Sequence, residues 1–191
     1  PLLRALLVRL DEWATTGKRP PPSAVPRFDD DTLVDASVVH DRFPKIAYVR
    51  APESPNRLFP QDHGPLYADG IAMEEPPRVD RTFEYAVRVP MVEADGNDIP
   101  GIRTPDVSVP RATYTGWNMR SEAVGTNAMY SIVGSYLPFA RTEAERQKTG
   151  DERQSLAERY PSTADYVRRV SEAAHELHRR GLLLAEDVER Y

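Results

Sequence analysis

A chain with both helix and strand is predicted from three observations: an amphipathic helix at its start, a proline-rich middle with strand-like alternation, and a helical pattern at its end. Leu3, Leu6, Leu7, Leu10, Trp13 and Ala14 fall at i, i+3, i+4, i+7, i+10 and i+11, which is one helical face. Gly17 closes this helix, and Pro20-Pro21-Pro22 prevents its resumption. The apolar stripe needs a surface to cover and is expected to pack against a preceding sheet. The chain opens on Pro1 rather than methionine and reads as a fragment of something longer.

Fifteen of the 18 prolines lie between Pro20 and Pro110, so this part is expected to run as extended segments and turns. Phe43, Ile46, Tyr48, Val49, Leu58, Phe59, Leu66 and Tyr67 are too many apolar residues for a solvated linker. A belt wrapped over a larger body is expected. Tyr85, Val87 and Val89 alternate with polar or small residues, and Asp95-Gly96 is a hairpin turn signal. A hairpin is therefore predicted over Glu84 to Val109, interrupted at Pro100-Gly101. The stretch from Ala94 to Arg120 holds the densest run of position-demanding residues, and the rest of the chain is expected to be organised around it.

From Ser121 onward the pattern turns helical. Thr142 to Glu145 starts one short helix, Asp151 to Tyr160 suits another, and Ser162 with Asp165 begins the longest. Tyr166, Val167, Val170, Ala173, Ala174 and Leu177 form its expected buried stripe, and Gly181 closes it. Leu182-Leu183-Leu184 leads to a last acidic turn, Glu186 to Glu189. The chain thus divides into residues 1–19, a closing helix; 20–120, the belt with its hairpin; and 121–191, a helical C-terminal region.

The charge balance, Lys+Arg 25 against Asp+Glu 30, and the lack of any basic track argue against nucleic-acid binding. Without cysteine there is no disulfide, thiolate metal site or cysteine nucleophile, although the compartment stays open. No apolar run approaches the roughly 20 residues that span a bilayer, and no signal-peptide pattern opens the chain.

Serine hydrolases place their nucleophile in Gly-x-Ser-x-Gly, which does not occur here; Gly134-Ser135-Tyr136 lacks the glycine spacing and reads as a turn. His175 and His178, one turn after Glu172, can share a helix face, but Arg179-Arg180 would repel a cation and no metal site is assigned. Asp29-Asp30-Asp31 lacks the alternation of a calcium loop and reads as a solvated turn. His40-Asp41 and Asp62-His63 pair an imidazole with an adjacent carboxylate, a spacing at which side chains seldom face each other. His63, before Gly64, is retained as a candidate site histidine. Tyr114-Thr115-Gly116-Trp117-Asn118 admits two readings: a ligand pocket with Trp117 as wall and Asn118 as orienting amide, or a packed loop in which Asn118 satisfies backbone groups.

Several strings resemble, in order over nearly the whole chain, the C-terminal part of a bacterial family of alpha/beta hydrolase domain proteins. They are Leu3 to Trp13, Pro20 to Ser23, Val92 to Asn97, Gly101 to Arg103, Ala112 to Asn118 and Pro138 to Arg146. The resemblance implies a doubly wound sheet bearing a Ser, Asp or Glu, and His triad in that chain order. It makes the first helix the last helix of that core and puts all three triad residues upstream of Pro1, so no catalytic residue is assigned. The implied fold is α/β: the C-terminal portion of an α/β-hydrolase-type fold, comprising the closing helix, the belt with its hairpin and the C-terminal helices. The implied activity is esterase-like hydrolysis of a small-molecule carboxylic ester through an acyl-serine. The implied partner is the catalytic N-terminal portion of the same protein, with no cofactor, and Tyr114, Trp117 and Asn118 are the substrate-contact candidates. The alternative is a non-catalytic binding or scaffolding module whose hairpin and belt form an interaction surface.

Overall fold

The computed structural model describes residues 1–191 except Ser54, Thr126 and Ser131. The amphipathic start forms α1 (Leu2–Thr16), ended by Gly17 at φ 75°, whose N–H returns to the Trp13 carbonyl at 3.0 Å. One face of α1 packs inward: Ala5 is fully buried, and Leu2 and Leu6 lie against Ala174, Leu177, Leu182 and Leu183. Arg4 adds a 3.0 Å bond to the buried carboxylate of Asp187. The other face, Leu3, Leu7, Leu10 and Trp13, stays 81, 66, 55 and 50% exposed. The expected stripe is therefore split, with only its Leu6 edge meeting the body.

Strand β1 (Leu33–Asp35) runs into helix α2 (Ala36–Arg42), which occupies the proline-free interval between Pro26 and Pro44. Next comes an arm, β2 (Gln61–Asp62) paired with β3 (Arg78–Val79), in which Arg57 donates to Glu84 at 2.9 and 2.6 Å. Much of the arm's apolar content is exposed, Leu58, Tyr67, Ile71, Met73, Phe83 and Tyr85 among it. Strand β4 (Arg88–Pro90) pairs with β1, Val34 opposite Val89.

The Asp95-Gly96 turn forms, but the hairpin is shorter than predicted. Val92 bridges Asp98, and the Ile99 N–H reaches the Met91 carbonyl at 2.8 Å. Beyond Ile99 no return strand develops. Pro100 cannot donate to a ladder, Gly101 turns the chain, and Pro105 opens the short helix α3 (Pro105–Ser108).

The onset of helix at Ser121 is also corrected. Strands β5 (Ala112–Thr115), β6 (Asn118–Met119), β7 (Met129–Tyr130) and β8 (Ser135–Pro138) come first, pairing β5 with β8 and β6 with β7. Ser135 is thus the first residue of a strand rather than part of a turn. Gly134 before it lies so close to the Thr115 carbonyl that no Cβ fits. Among the described residues every strand pair is antiparallel.

The helices then follow as α4 (Glu143–Thr149), α5 (Leu156–Arg159), α6 (Thr163–Arg179) and α7 (Ala185–Val188). Helix α5 is shorter than Asp151–Tyr160 because Ser155 caps it in a reciprocal box with Glu158. Ser162 caps α6 by accepting the Asp165 N–H at 3.1 Å. Val170, Ala174 and Leu177 are buried along α6, whereas Val167 of the expected stripe is half exposed.

Candidate functional site

The turn Asp95-Gly96-Asn97 is the structural centre of the stretch from Ala94 to Arg120, and its polar side chains are inside. Asn97 is fully buried. Its amide nitrogen donates to Asp95 Oδ1 and to the Ala112 carbonyl, both at 3.0 Å, while its oxygen accepts the Tyr114 N–H at 2.8 Å. Thr113 Oγ1 donates to the Asp95 carbonyl. Every polar atom of the Asn97 amide group thereby works, as a buried amide requires.

Arg153, only 3% exposed, ties this turn to the β5–β8 pair. It donates to Thr113 Oγ1 at 3.0 Å, to the Leu137 and Pro138 carbonyls at 2.8 and 3.1 Å, and to both oxygens of Asp151. Burial pushes the Asp151 carboxyl up, but the Arg153 side-chain and backbone hydrogen bonds outweigh it and hold it below the usual range. Arg159 reaches Asp95 Oδ2 at 3.1 Å, and both guanidiniums lie over the Phe139 ring.

On the other side of the turn lies a cavity of about 350 Å³. Helix α2 offers it Ala36, Val39 and His40 at i, i+3 and i+4, and Phe43 follows one turn on. The β1–β4 pairing brings Val89 and Pro90 to the same space. Phe43 rests on the turn itself. Gly96 has φ +81°, and a Cβ there would come within 2.9 Å of the Phe43 ring and 3.0 Å of the Thr113 methyl. Glycine is required for both reasons.

Of the three predicted contact residues, Tyr114 and Trp117 line this cavity and Asn118 does not. Trp117 stands tilted against Phe43, ring centroids 5.5 Å apart. Its carbonyl is held by the hydroxyls of Thr115 and Ser135, the latter at 3.0 Å. Asn118 is exposed on a neighbouring groove, its oxygen accepting the Met119 N–H at 2.8 Å. Burial raises the Tyr114 hydroxyl pKa, helped by Asp106.

Sequence reasoning missed His40, Phe43 and Asp98. His40 Nδ1 lies 3.2 Å from the Pro52 carbonyl, to which it can only donate, leaving Nε2 as an acceptor in the neutral ring. Asp98 keeps contact with solvent as a residue, yet crowding of its carboxyl by protein raises its pKa against the lowering pull of Arg103. The spacing Ala36, Val39, His40, Phe43 was the available signal, but without the strand pairing it says nothing of what the helix faces.

The other candidates lie away from this cavity and engage near neighbours, although His63 Nδ1 is buried with no hydrogen-bond partner among the described residues. His63 stacks on Tyr67 at 4.4 Å, while Asp62 turns to the Gly64 N–H and to Arg78, each at 2.8 Å. His175 and His178 give their Nδ1 atoms to the Ser171 and Leu183 carbonyls at 2.7 and 3.0 Å. Asp29 pairs with Arg27, and Asp30 accepts from Thr32, so the triple aspartate is a hydrogen-bonded turn. Among the described residues no three His, Cys, Asp or Glu are disposed to hold a metal ion. No described helix is long and apolar enough to cross a membrane.

The mixed helix and strand content agrees with the family comparison. The alpha/beta hydrolase domain family matches residues 1–191, and the chain belongs to that family. No curated protein and no solved structure matches it.

Proposed function

We propose that this chain is the C-terminal portion of a serine hydrolase that cleaves small carboxylic esters, with the catalytic triad on sequence N-terminal to it. The observation that carries this reading is the uncovered face of α1. Leu3, Leu7, Leu10 and Trp13 form an apolar strip on a helix whose opposite side is already packed. Such a strip on a hydrolase-family chain suits the last helix of a core, laid against the sheet that bears the triad. Residues 1–19 are then that helix, 20–120 the belt with its turn, and 121–191 the C-terminal region that secures it.

In the reaction, a serine hydroxyl supplied by the catalytic portion attacks the ester carbonyl while a histidine takes its proton. The alcohol leaves with that proton, and water then releases the acid from the acyl-serine. This chain supplies the rim of the substrate pocket through Tyr114 and Trp117, with Asn118 outside the cavity.

Labelling the purified protein with a serine-reactive fluorophosphonate, followed by peptide mapping, tests the reading. The expected label falls on a serine outside these 191 residues. A label on Ser108, Ser135 or Ser131, the last outside the described residues, would contradict it. No label on a stably folded complete protein would favour the binding-module alternative, for which the exposed apolar side chains of the arm speak.

A further inference from the structure

The cavity between α2 and the turn has an unusual charge pattern for its size. Its volume of about 350 Å³ lies within the roughly 300–1,000 Å³ of small-molecule sites. Its walls are apolar, with the rings of Phe43 and Trp117 meeting at its edge. Among the described residues Asp98 is the one carboxylate lining it, and no lysine or arginine does. His40 adds an acceptor nitrogen when neutral.

We propose that this cavity is the subsite for an apolar, ring-bearing group that carries a basic nitrogen, with Phe43 and Trp117 as walls and Asp98 as the anchor for the ammonium. Two independent attractions favour that class. Indole and phenyl faces carry negative quadrupole potential and attract a cation within about 6 Å of the ring centroid. Asp98 is open to solvent on one side, yet protein crowds its carboxyl, so an ammonium donor arriving from the cavity meets fewer competing waters than at a free surface. A ligand carboxylate would meet the like charge of Asp98 at the cavity wall. The raised pKa of Asp98 agrees with this, since crowding without a full counter-charge penalises its ionised form and a bound cation would relieve the penalty.

Gly96 and the buried turn keep the site open. Any side chain at position 96 would displace Phe43, whose ring lies against the place its Cβ would occupy. The site therefore depends on the same Asp95–Asn97 network that holds β5. As a statement about substrate the inference rests on the hydrolase reading, and it places the amine on the group that the ester presents to this chain. As a statement about binding it needs no catalysis.

Isothermal titration calorimetry of the complete protein near pH 8, above the ordinary histidine range, tests it with three probes that share one ring. These are 2-phenylethylamine, 2-phenylethanol and 3-phenylpropanoate. The amine is expected to bind about tenfold or more tightly than the alcohol, and the carboxylate not measurably, from one cation–π contact and one ion pair. In Asp98→Asn the amine's advantage over the alcohol should shrink by about fivefold or more, leaving the cation–π part, while the affinity of the alcohol should hold, because only the charge is removed. Failure of the amine to bind, or an amine preference undiminished in Asp98→Asn, would overturn the inference. Should that variant not fold, the ranking of the three probes on the protein with Asp98 intact decides alone.

The two readings fail separately. A fluorophosphonate-labelled serine and ester turnover without any amine preference would leave the hydrolase reading and remove the subsite. The expected ranking in a protein with no labelled serine would support the subsite and remove the hydrolase.

Discussion

The turn at Asp95–Asn97 and the outer face of α1 invert the usual arrangement of a folded chain. At the turn, Asp95, Asn97, Thr113 and Arg153 are polar and buried; on α1, Leu3, Leu7, Leu10 and Trp13 are apolar and exposed. The difference teaches where this chain finds its coherence. Its middle is closed by a satisfied hydrogen-bond network, in which each buried group has a partner within about 3 Å. Part of its apolar surplus is turned outward, onto the face of α1 that its own described residues leave uncovered.

The contrast can be broken most directly at Arg153. Arg153→Ala strands the buried Asp151 carboxylate and two carbonyls, and a loss of about 3–5 kcal/mol in denaturant unfolding is expected, as for other broken buried pairs. Arg153→Lys should recover only part, because an ammonium cannot reach both Asp151 oxygens and the two carbonyls in one plane. Gly96→Ala comes next. Its positive φ and the Phe43 ring 2.9 Å from the new Cβ should cost about 1–3 kcal/mol and narrow the cavity, both readable by thermal melting and ligand titration.

A smaller effect is expected at Glu158, where the sign follows from its pKa. Bidentate bonds from Arg146 and the Ser155 hydroxyl hold its carboxyl at about 2, against an ordinary 4.5. A folded-state pKa below the unfolded one stabilises above the unfolded value and is lost as pH falls from there toward about 2. Melting curves of Glu158→Gln across that window should therefore lose part of the acid slope of the parent. An unchanged slope would mean that the pair contributes nothing in solution.

The smallest effect on this chain's own fold belongs to α1. Leu7→Gln and Leu10→Gln should each shift its stability by no more than about 0.5 kcal/mol, as at other exposed sites. The same changes should markedly weaken retention of the catalytic portion in pull-down experiments. Equal retention by parent and variant would show that this face is not where the two portions meet.

Much of this was legible in the residues. The helix α1, the Asp-Gly turn and the Ser162 cap all rest on short-range rules, and short-range rules hold where the sequence is periodic or terminated. What stayed hidden is long-range. That Asn97 bonds across to β5, that Arg153 threads back to Thr113, and that β1 pairs with β4 across 52 intervening residues cannot be read from local spacing. The candidate site shows the same division. Trp117 and Tyr114 were visible as an aromatic cluster, whereas His40, Phe43 and Asp98 join them only through the β1–β4 pairing and the turn. Asn118, named with them, lines the neighbouring groove instead, where Trp117 also reaches.

Hydroxyl-radical footprinting of the complete protein, read by mass spectrometry at Trp13 and Tyr48, puts the outward face of α1 to the most direct test. In this chain Trp13 is half exposed and Tyr48 fully so. With the catalytic portion in place, Trp13 should be protected to the level of the buried Phe139 while Tyr48 remains reactive. Oxidation of Trp13 as fast as Tyr48 would mean that nothing covers the helix, and the C-terminal-portion account would fall.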